Sequence, residues 1–366
     1  MRRIVTVAGI ALLAIGAAPA MGNARAKAPS LPIGEQVAAE AVVNPRIFSA
    51  GDDPYPAHPV NFAGGVVGWP DMTYQILPRY RPMKLDLYLP PVTFKGPRPT
   101  VVFIHGGGWI GGGNRLSGAF DNWPRVLASI ARRGYVVAAV AYRFSGEAPS
   151  PAAIQDVKAS IRWLRANADR YRIDKNRFMT LGGSAGGQLS GLAATSCGVA
   201  ELSPPAPANR PRNLTVENPK AGNRDPALES DCIQGAVAWY GIFDFATMPT
   251  SEVVQAYLGC AGAPCTDEQK RRASAQAYLG DKTPPILVIA GAEDKTVPAQ
   301  QTRDFFAAMQ AHGVQSEMLI IPGVDHSFLG KDAAATRAAS QAALARTVNF
   351  IEKVIGDRRA GAKAPR

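Results

Sequence analysis

Charge is scarce in this 366-residue chain, with Asp, Glu, Lys and Arg making up only 19%, against about 25% in ordinary soluble domains. Hydrophobic residues supply 46%, ample for a packed core, so disorder as the dominant state is excluded. Long apolar runs are also missing. The uncharged run Ile4–Ala18 falls short of the ~18–20 residues that a spanning helix needs, and no other stretch is long and apolar enough. Met1-Arg2-Arg3 precedes this run and Ala18-Pro19-Ala20 follows it. A basic start, a short apolar segment and small residues at the end read as a signal peptide over residues 1–20. No cysteine sits just after the run, which excludes a lipoprotein anchor. The expectation is an exported protein, periplasmic or secreted, with no stable membrane anchor.

Acidic residues are outnumbered 29 to 40 by basic ones, a formal net charge of +11. The excess is not spread over a binding face. Two arginines lie in the leader, four basic residues against one acid lie in the tail 357–366, and four more lie between Gly198 and Asp231. No basic stripe interleaved with aromatics is present, so nucleic acid is not an expected partner. Cysteine is limited to four residues, which in an exported protein read as bridges. Cys260 and Cys265 flank a short Gly/Pro turn and are expected to pair locally. That leaves Cys197 with Cys232, closing a loop worth roughly 3–4 kcal/mol in the chain-entropy account. No histidine lies near either pair, so no zinc site is expected.

The texture along the chain is that of an α/β protein. Residues 21–70 are rich in Pro, Gly and Ala without a sustained period, and read as an irregular arm. From there, Lys84–Leu89 alternates polar and apolar residues as a half-buried strand does. Thr100–Ile104 and Tyr135–Val140 are continuous apolar runs, expected of strands covered on both faces. Trp123–Arg133 reads as a helix stopped by Gly134. Between Pro151 and Tyr171, the apolar residues Ile154, Val157, Ile161 and Leu164 follow helical spacing. Further strands are expected at Arg177–Gly182, Gly235–Tyr240, Pro285–Ala290 and Ser316–Ile321. Helices are expected at Gly186–Ser196, between Ser251 and Leu279, at Ala299–Ala311 and at about Ala333–Ile355. Strands separated by helices imply one mostly parallel sheet with helices on both faces, here over residues 71–356. Residues 198–231 interrupt the alternation as a proline-rich insertion, placed as a candidate lid. Residues 357–366 form a basic tail.

Chemistry concentrates at loops following strands. Gly182-Gly183-Ser184-Ala185-Gly186 joins a strand to a helix, and its small residues allow the sharp turn that projects a serine hydroxyl above a sheet. Such a hydroxyl needs a base, and the chain has only four histidines. His58 falls in the arm, His312 ends a helix and His105 opens a glycine cluster. His326 alone sits on a loop after a late strand, where ligands bind in open α/β sheets. The orienting acid is expected between serine and histidine in the chain, and Asp294 in Gly291–Pro298 fits, with Glu293 and Asp325 as rivals. His105-Gly106-Gly107-Gly108 follows a strand, and the amides of Gly106, Gly107 and Ala185 are the expected donors to a developing oxyanion. No glycine-rich segment ends in Gly-Lys-Ser/Thr, so a phosphate cradle is excluded. Gly111–Gly113 reads as loop flexibility.

These motifs resemble the α/β-hydrolase superfamily over about Tyr74–Ile355. His105-Gly-Gly-Gly-Trp109 and Gly182-Gly-Ser-Ala-Gly-Gly187 look like the branch that holds hormone-sensitive-lipase-like and acetylxylan/feruloyl-esterase-like enzymes. Lipase-like members usually carry Asp where this chain has Gly183, and an N-terminal helical cap that the arm does not resemble. Trp109, a candidate substrate-pocket residue, and Val324–Phe328 lean toward the carbohydrate-ester branch. The resemblance implies a serine carboxylesterase with Ser184, His326 and Asp294 as its triad. It implies no metal or organic cofactor, and a small-molecule or carbohydrate ester as substrate. Two other classes compete: an amide-cleaving hydrolase of formamidase or peptidase type, and a non-catalytic binding protein on the same fold.

Overall fold

The computed structural model describes residues 58–205 and 225–357. The expected leader, the start of the arm, the middle of the insertion and nearly all of the basic tail lie outside them.

Nine strands form one sheet. They are β1 (Val60–Phe62), β2 (Val66–Gln75), β3 (Met83–Leu89), β4 (Arg98–Ile104), β5 (Val136–Val140), β6 (Ile173–Gly183), β7 (Gly235–Trp239), β8 (Ile286–Gly291) and β9 (Ser316–Ile321). Their order across the sheet is β1-β2-β3-β5-β4-β6-β7-β8-β9. The pairs β1–β2, β2–β3 and β3–β5 are antiparallel, and every pair from β5 through β9 is parallel. The helices are α1 (Trp123–Ala131), α2 (Ala152–Ala166), α3 (Ala168–Tyr171), α4 (Ala185–Thr195), α5 (Glu252–Leu258), α6 (Asp267–Ala273), α7 (Ala299–Ala311) and α8 (Ala333–Ile355).

Side-chain alternation along the central strands divides the core in two. Val102 and Ile104 of β4 face a cluster with Ile154, Val157, Ile161, Leu189 and Phe305 of α2, α4 and α7. Val101 and Phe103 face another with Trp123, Leu127 and Ile130 of α1 and Phe350 and Ile351 of α8. Both faces are covered, as the continuous apolar runs require. This is the expected α/β sheet.

Three details differ from the sequence reading. The end of the arm is not irregular, because Val60–Phe62 and Val66–Gln75 are strands joined through Gly64 and Gly65, both at positive φ. Pro70 hid β2, since proline cannot donate to a ladder, and the register indeed shifts between Trp69 and Met72. The helix expected over 151–171 divides at Asn167, which has φ −99° and ψ 17° and whose side-chain Nδ2 donates back to the Trp163 carbonyl at 2.8 Å. The ends of the insertion carry short 3-10 turns at Ala200–Leu202 and Pro226–Leu228, whereas residues 206–224 lie outside the described residues.

The cysteines pair as expected, Cys197 with Cys232 and Cys260 with Cys265. The first bridge closes the root of the insertion, and one face of α2 grips the same root. Lys158 Nζ donates to the Ser196 carbonyl at 2.6 Å, and Arg162 pairs with Asp231. Arg165 donates to the carbonyls of Ser230 and Cys232 at 2.6 and 2.5 Å. Positions four and then three residues apart share one helix face, so these cations line up along the root. Among the described residues no helix is long and apolar enough to cross a membrane.

Candidate active site

Ser184 stands between the last residue of β6 and the first of α4. Its backbone has φ 56° and ψ −122°, a region that costs a non-glycine residue free energy and is held only by surrounding structure. The holding is visible. Ser184 N–H donates to the Trp239 carbonyl at 2.9 Å. The flanking glycines are packed so tightly that a Cβ on Gly182 or Gly186 would overlap backbone of the turn or of β4. Gly183 is set by a side chain: a Cβ there would lie 2.7 Å from the Tyr240 hydroxyl and 2.9 Å from its ring. This gives a physical account of glycine at position 183.

The structure brings the three expected polar residues into one line. Ser184 Oγ lies 3.0 Å from His326 Nε2, and His326 Nδ1 lies 2.8 Å from Asp294 Oδ2. A carboxylate only accepts, so Nδ1 carries the proton and Nε2 is free to accept from the serine hydroxyl. Asp294 has a fully buried side chain, and its other oxygen accepts from the amides of Thr296 and Val297 at 2.9 and 2.8 Å. Of the rivals, Glu293 is exposed. Asp325 accepts from the amides of Lys295 and His326 at 2.9 and 2.7 Å, which holds its carboxyl below the usual range. It fastens the histidine loop rather than the imidazole.

The glycine loop after β4 reaches the same point. A Cβ on Gly106 would lie 2.8 Å from the Gly183 carbonyl oxygen and 3.4 Å from Ser184 Cβ, so its backbone abuts the serine. Gly107 sits at φ 116°, where a side chain would overlap Gly111. Ala185 is the first residue of α4, so its amide has no acceptor within the helix. The far end of the loop is clamped to the sheet by Arg115, which donates to Asp86 at 2.6 and 2.9 Å and to Asp71 at 2.9 Å. Gly112 corrects the reading of Gly111–Gly113 as flexible: it has φ 104° and packs directly against Gly106 and His105. Among the described residues no group of three or more His, Cys, Asp or Glu could hold a metal ion.

Trp109 also differs from its expected place on a substrate wall. It is 3% exposed, stacks on Tyr257 at 4.1 Å, and its indole N–H donates to Gln188 Oε1 at 3.1 Å. A buried ring with its one donor satisfied inside the protein wedges the loop against α4 and α5. Two residues here escape sequence reasoning. Gln188, fully buried, also accepts from the Tyr257 hydroxyl at 3.2 Å and donates to the Ala273 carbonyl at 2.8 Å. Tyr240, just past β7, packs edge-to-face on His326 and Phe328, with ring centroids 4.8 Å from each. An aromatic ending a buried strand looks like ordinary core, and only its φ of 36° marks it out.

Known proteins are similar to this chain. The chain is 30% identical over 247 residues to the esterase LipC of Mycobacterium tuberculosis, covering 66% of this chain and 55% of that protein. It is 33% identical over 178 residues to the carboxylesterase NlhH of the same species, covering 45% and 53%. It thus spans about half the length of these curated relatives. Among solved structures, a truncated carbohydrate esterase from gut microbiota aligns over 78% of this chain and 95% of its own, with 24% identity and a TM-score of 0.61. A thermophilic esterase from the planctomycete Thermogutta terrifontis aligns over 80% and 96%, with 22% identity and a TM-score of 0.60. These likenesses establish the α/β-hydrolase fold. The BD-FAE family model matches residues 85–309, from β3 into α7 and including Ser184 and Asp294. That span is more than half of the chain, and the chain belongs to the BD-FAE family.

Proposed function

We propose that this protein is an exported serine carboxylesterase that hydrolyses short-acyl or carbohydrate-linked esters through an acyl-enzyme. The observation that carries the reading is the line Ser184–His326–Asp294, with contacts of 3.0 and 2.8 Å at a strained turn. Ser184 Oγ attacks the ester carbonyl while His326 Nε2 takes its proton. Asp294, held by two backbone amides, keeps the proton on Nδ1 and stabilises the imidazolium that forms. Negative charge on the tetrahedral oxygen falls to the amides of Gly106, Gly107 and Ala185. His326 then protonates the leaving alkoxide. Water, deprotonated by the same nitrogen, cleaves the acyl-serine and restores the hydroxyl.

The relatives named above as esterases support ester rather than amide substrates. The names of the structural neighbours, among them a carbohydrate esterase and a propionate-bound esterase, support the two substrate classes. Export is supported by the leader-like start and by two disulfides, which persist in oxidising compartments. The test is turnover by the full chain of acetylated xylan, feruloyl esters, p-nitrophenyl acetate and peptide amides, alongside Ser184→Ala. Ester turnover that disappears in Ser184→Ala is the expected result. Turnover of amides alone would overturn the reading.

A further inference from the structure

The loop after β4 carries one more glycine than the proposed oxyanion donors require. Gly108 follows Gly107 at φ 60° and is not among those donors. A Cβ there would lie 3.1 Å from Val253 Cγ1 and 3.8 Å from Ile110 Cγ1, so two aliphatic side chains from different elements meet over a bare stretch of backbone. Ile110, 56% exposed, is held in place by its N–H, which donates to the Gly107 carbonyl at 3.2 Å. Val253 is held more firmly, as the second residue of α5, whose start Ser251 caps by accepting from the Val254 amide at 3.3 Å. One turn further on, Tyr257 stacks on Trp109 and donates to Gln188. Residues four apart share a helix face, so the face of α5 that meets the glycine loop carries both, and the buried Tyr257 fixes where Val253 stands. A β-branched side chain is stiff at χ1, which makes this valine a wall and not a flap.

The proposed reaction gives this wall a direction. Four bonds leave the tetrahedral carbon, and one of them goes to Ser184 Oγ. The oxyanion faces the amides of Gly106, Gly107 and Ala185. The leaving oxygen takes its proton from His326 Nε2, so the alcohol lies on the flank of His326 and the ring of Tyr240. Gly118 belongs to that flank, since a Cβ on it would lie 3.3 Å from the Tyr240 hydroxyl and 3.5 Å from the Ser327 carbonyl oxygen. The acyl chain takes the remaining direction, away from the histidine and over Gly108. Apolar walls around a few polar groups are what a small-molecule site uses to select size.

We propose that Val253 is a specificity-determining residue, its methyl groups closing the acyl side of the site over Gly108 beside Ile110, so that acetyl and propionyl groups fit and longer chains do not. The inference rests on the esterase reading above, and the two fail differently. A wild-type chain without ester turnover removes the esterase reading. An active wild type whose chain-length preference is the same in Val253 variants removes only the role of Val253.

The experiment measures kcat/KM of the full-length protein on p-nitrophenyl acetate, butyrate and octanoate. Wild type is expected to be fastest on acetate, and a preference for octanoate would overturn the proposal. In Val253→Ala the octanoate-to-acetate ratio is expected to rise about tenfold, since one methylene in an apolar pocket is worth roughly 10–200-fold in specificity. Val253→Phe is expected to lower the butyrate-to-acetate ratio by a similar factor. Val254→Ala separates size selection from loosening of α5. Val254 is 5% exposed, and its truncation is expected to lower Tm while leaving both ratios as in wild type. If Val253→Phe fails to fold, Val253→Ala against Val254→Ala still decides. Ratios unchanged in the Val253 variants, or shifted equally in Val254→Ala, would overturn the proposal. So would a Val253→Ala effect confined to the alcohol, read with ethyl, hexyl and phenyl acetate, because that would put Val253 beside the leaving group.

Discussion

At the scale of single residues, the site is a set of polar groups whose partners leave each one chemical option. Asp294 already accepts two amide N–H bonds through one oxygen, so its other oxygen faces His326 alone. Asp294→Asn can present an amide N–H to Nδ1 and favour the wrong tautomer, with the acceptor on Nδ1 and the proton on Nε2. Steady-state kinetics is expected to show kcat reduced by roughly 10³–10⁴ with KM little affected. Tyr240 tests packing rather than proton transfer. Tyr240→Phe keeps the ring against His326 and is expected to retain most activity. Tyr240→Ala removes a ring that is 2% exposed, which is expected to cost about 3–5 kcal/mol in denaturant unfolding and to lower kcat by freeing the imidazole. Legibility follows the same division. Ser184, Asp294 and His326 could be named because serine elbows, acids and histidines are scarce enough at strand ends to stand out. Tyr240 and Gln188 could not, because their importance comes from neighbours distant in sequence.

At the scale of elements, periodicity located what packing obeys and missed what it overrides. The closing helix, expected at Ala333–Ile355, occupies those residues, and the Asp332 carboxylate caps it by accepting from the Ala335 amide at 2.8 Å. Strands β4, β5, β7 and β8 were readable as short apolar runs because both of their faces are covered, each being buried along its whole length; β9, at the sheet edge, is half-buried throughout. β2 was not, since Pro70 and Asp71 at φ 56° break its alternation where the register shifts. The glycine loop was half legible: its composition pointed to exposed amides, while the seat of Gly112 against His105 depends on how the loop folds back. The insertion root yields a prediction at this scale. Its disulfide joins residues 35 apart in sequence, so Cys197→Ser combined with Cys232→Ser is expected to remove roughly 3–4 kcal/mol. Calorimetry is expected to show Tm lower by on the order of 10 °C. An unchanged Tm would mean that the cation ladder of α2 alone holds the root.

For the molecule as a whole, few charges are available and several of them are buried, which ties stability to pH. Arg143 pairs with Asp156, whose side chain is fully buried, at 2.8 Å, and Lys158 faces Asp231 in the interior. His105 makes the pH dependence with the clearest sign. Its pKa falls from 6.5 to about 4 on folding, chiefly through burial, with the backbone carbonyl of Gly106 opposing and the charge of Arg81 assisting. Between these two values the unfolded chain binds a proton that the folded chain does not. Stability therefore rises with pH across this window. Above about pH 6.5 the histidine costs nothing, and as the pH drops toward 4 it withdraws on the order of 3 kcal/mol. Carboxylates titrate in the lower part of the same range, so the histidine has to be isolated by difference. Urea unfolding of wild type and His105→Asn at intervals from pH 7.5 to 4 does this, because asparagine cannot titrate. The two stability curves are expected to run parallel above pH 6.5 and to converge below it, wild type losing more with each step toward acid. Curves that stay parallel to pH 4 would mean that His105 takes up its proton in the folded protein, and with it a buried charge that no described carboxylate contacts.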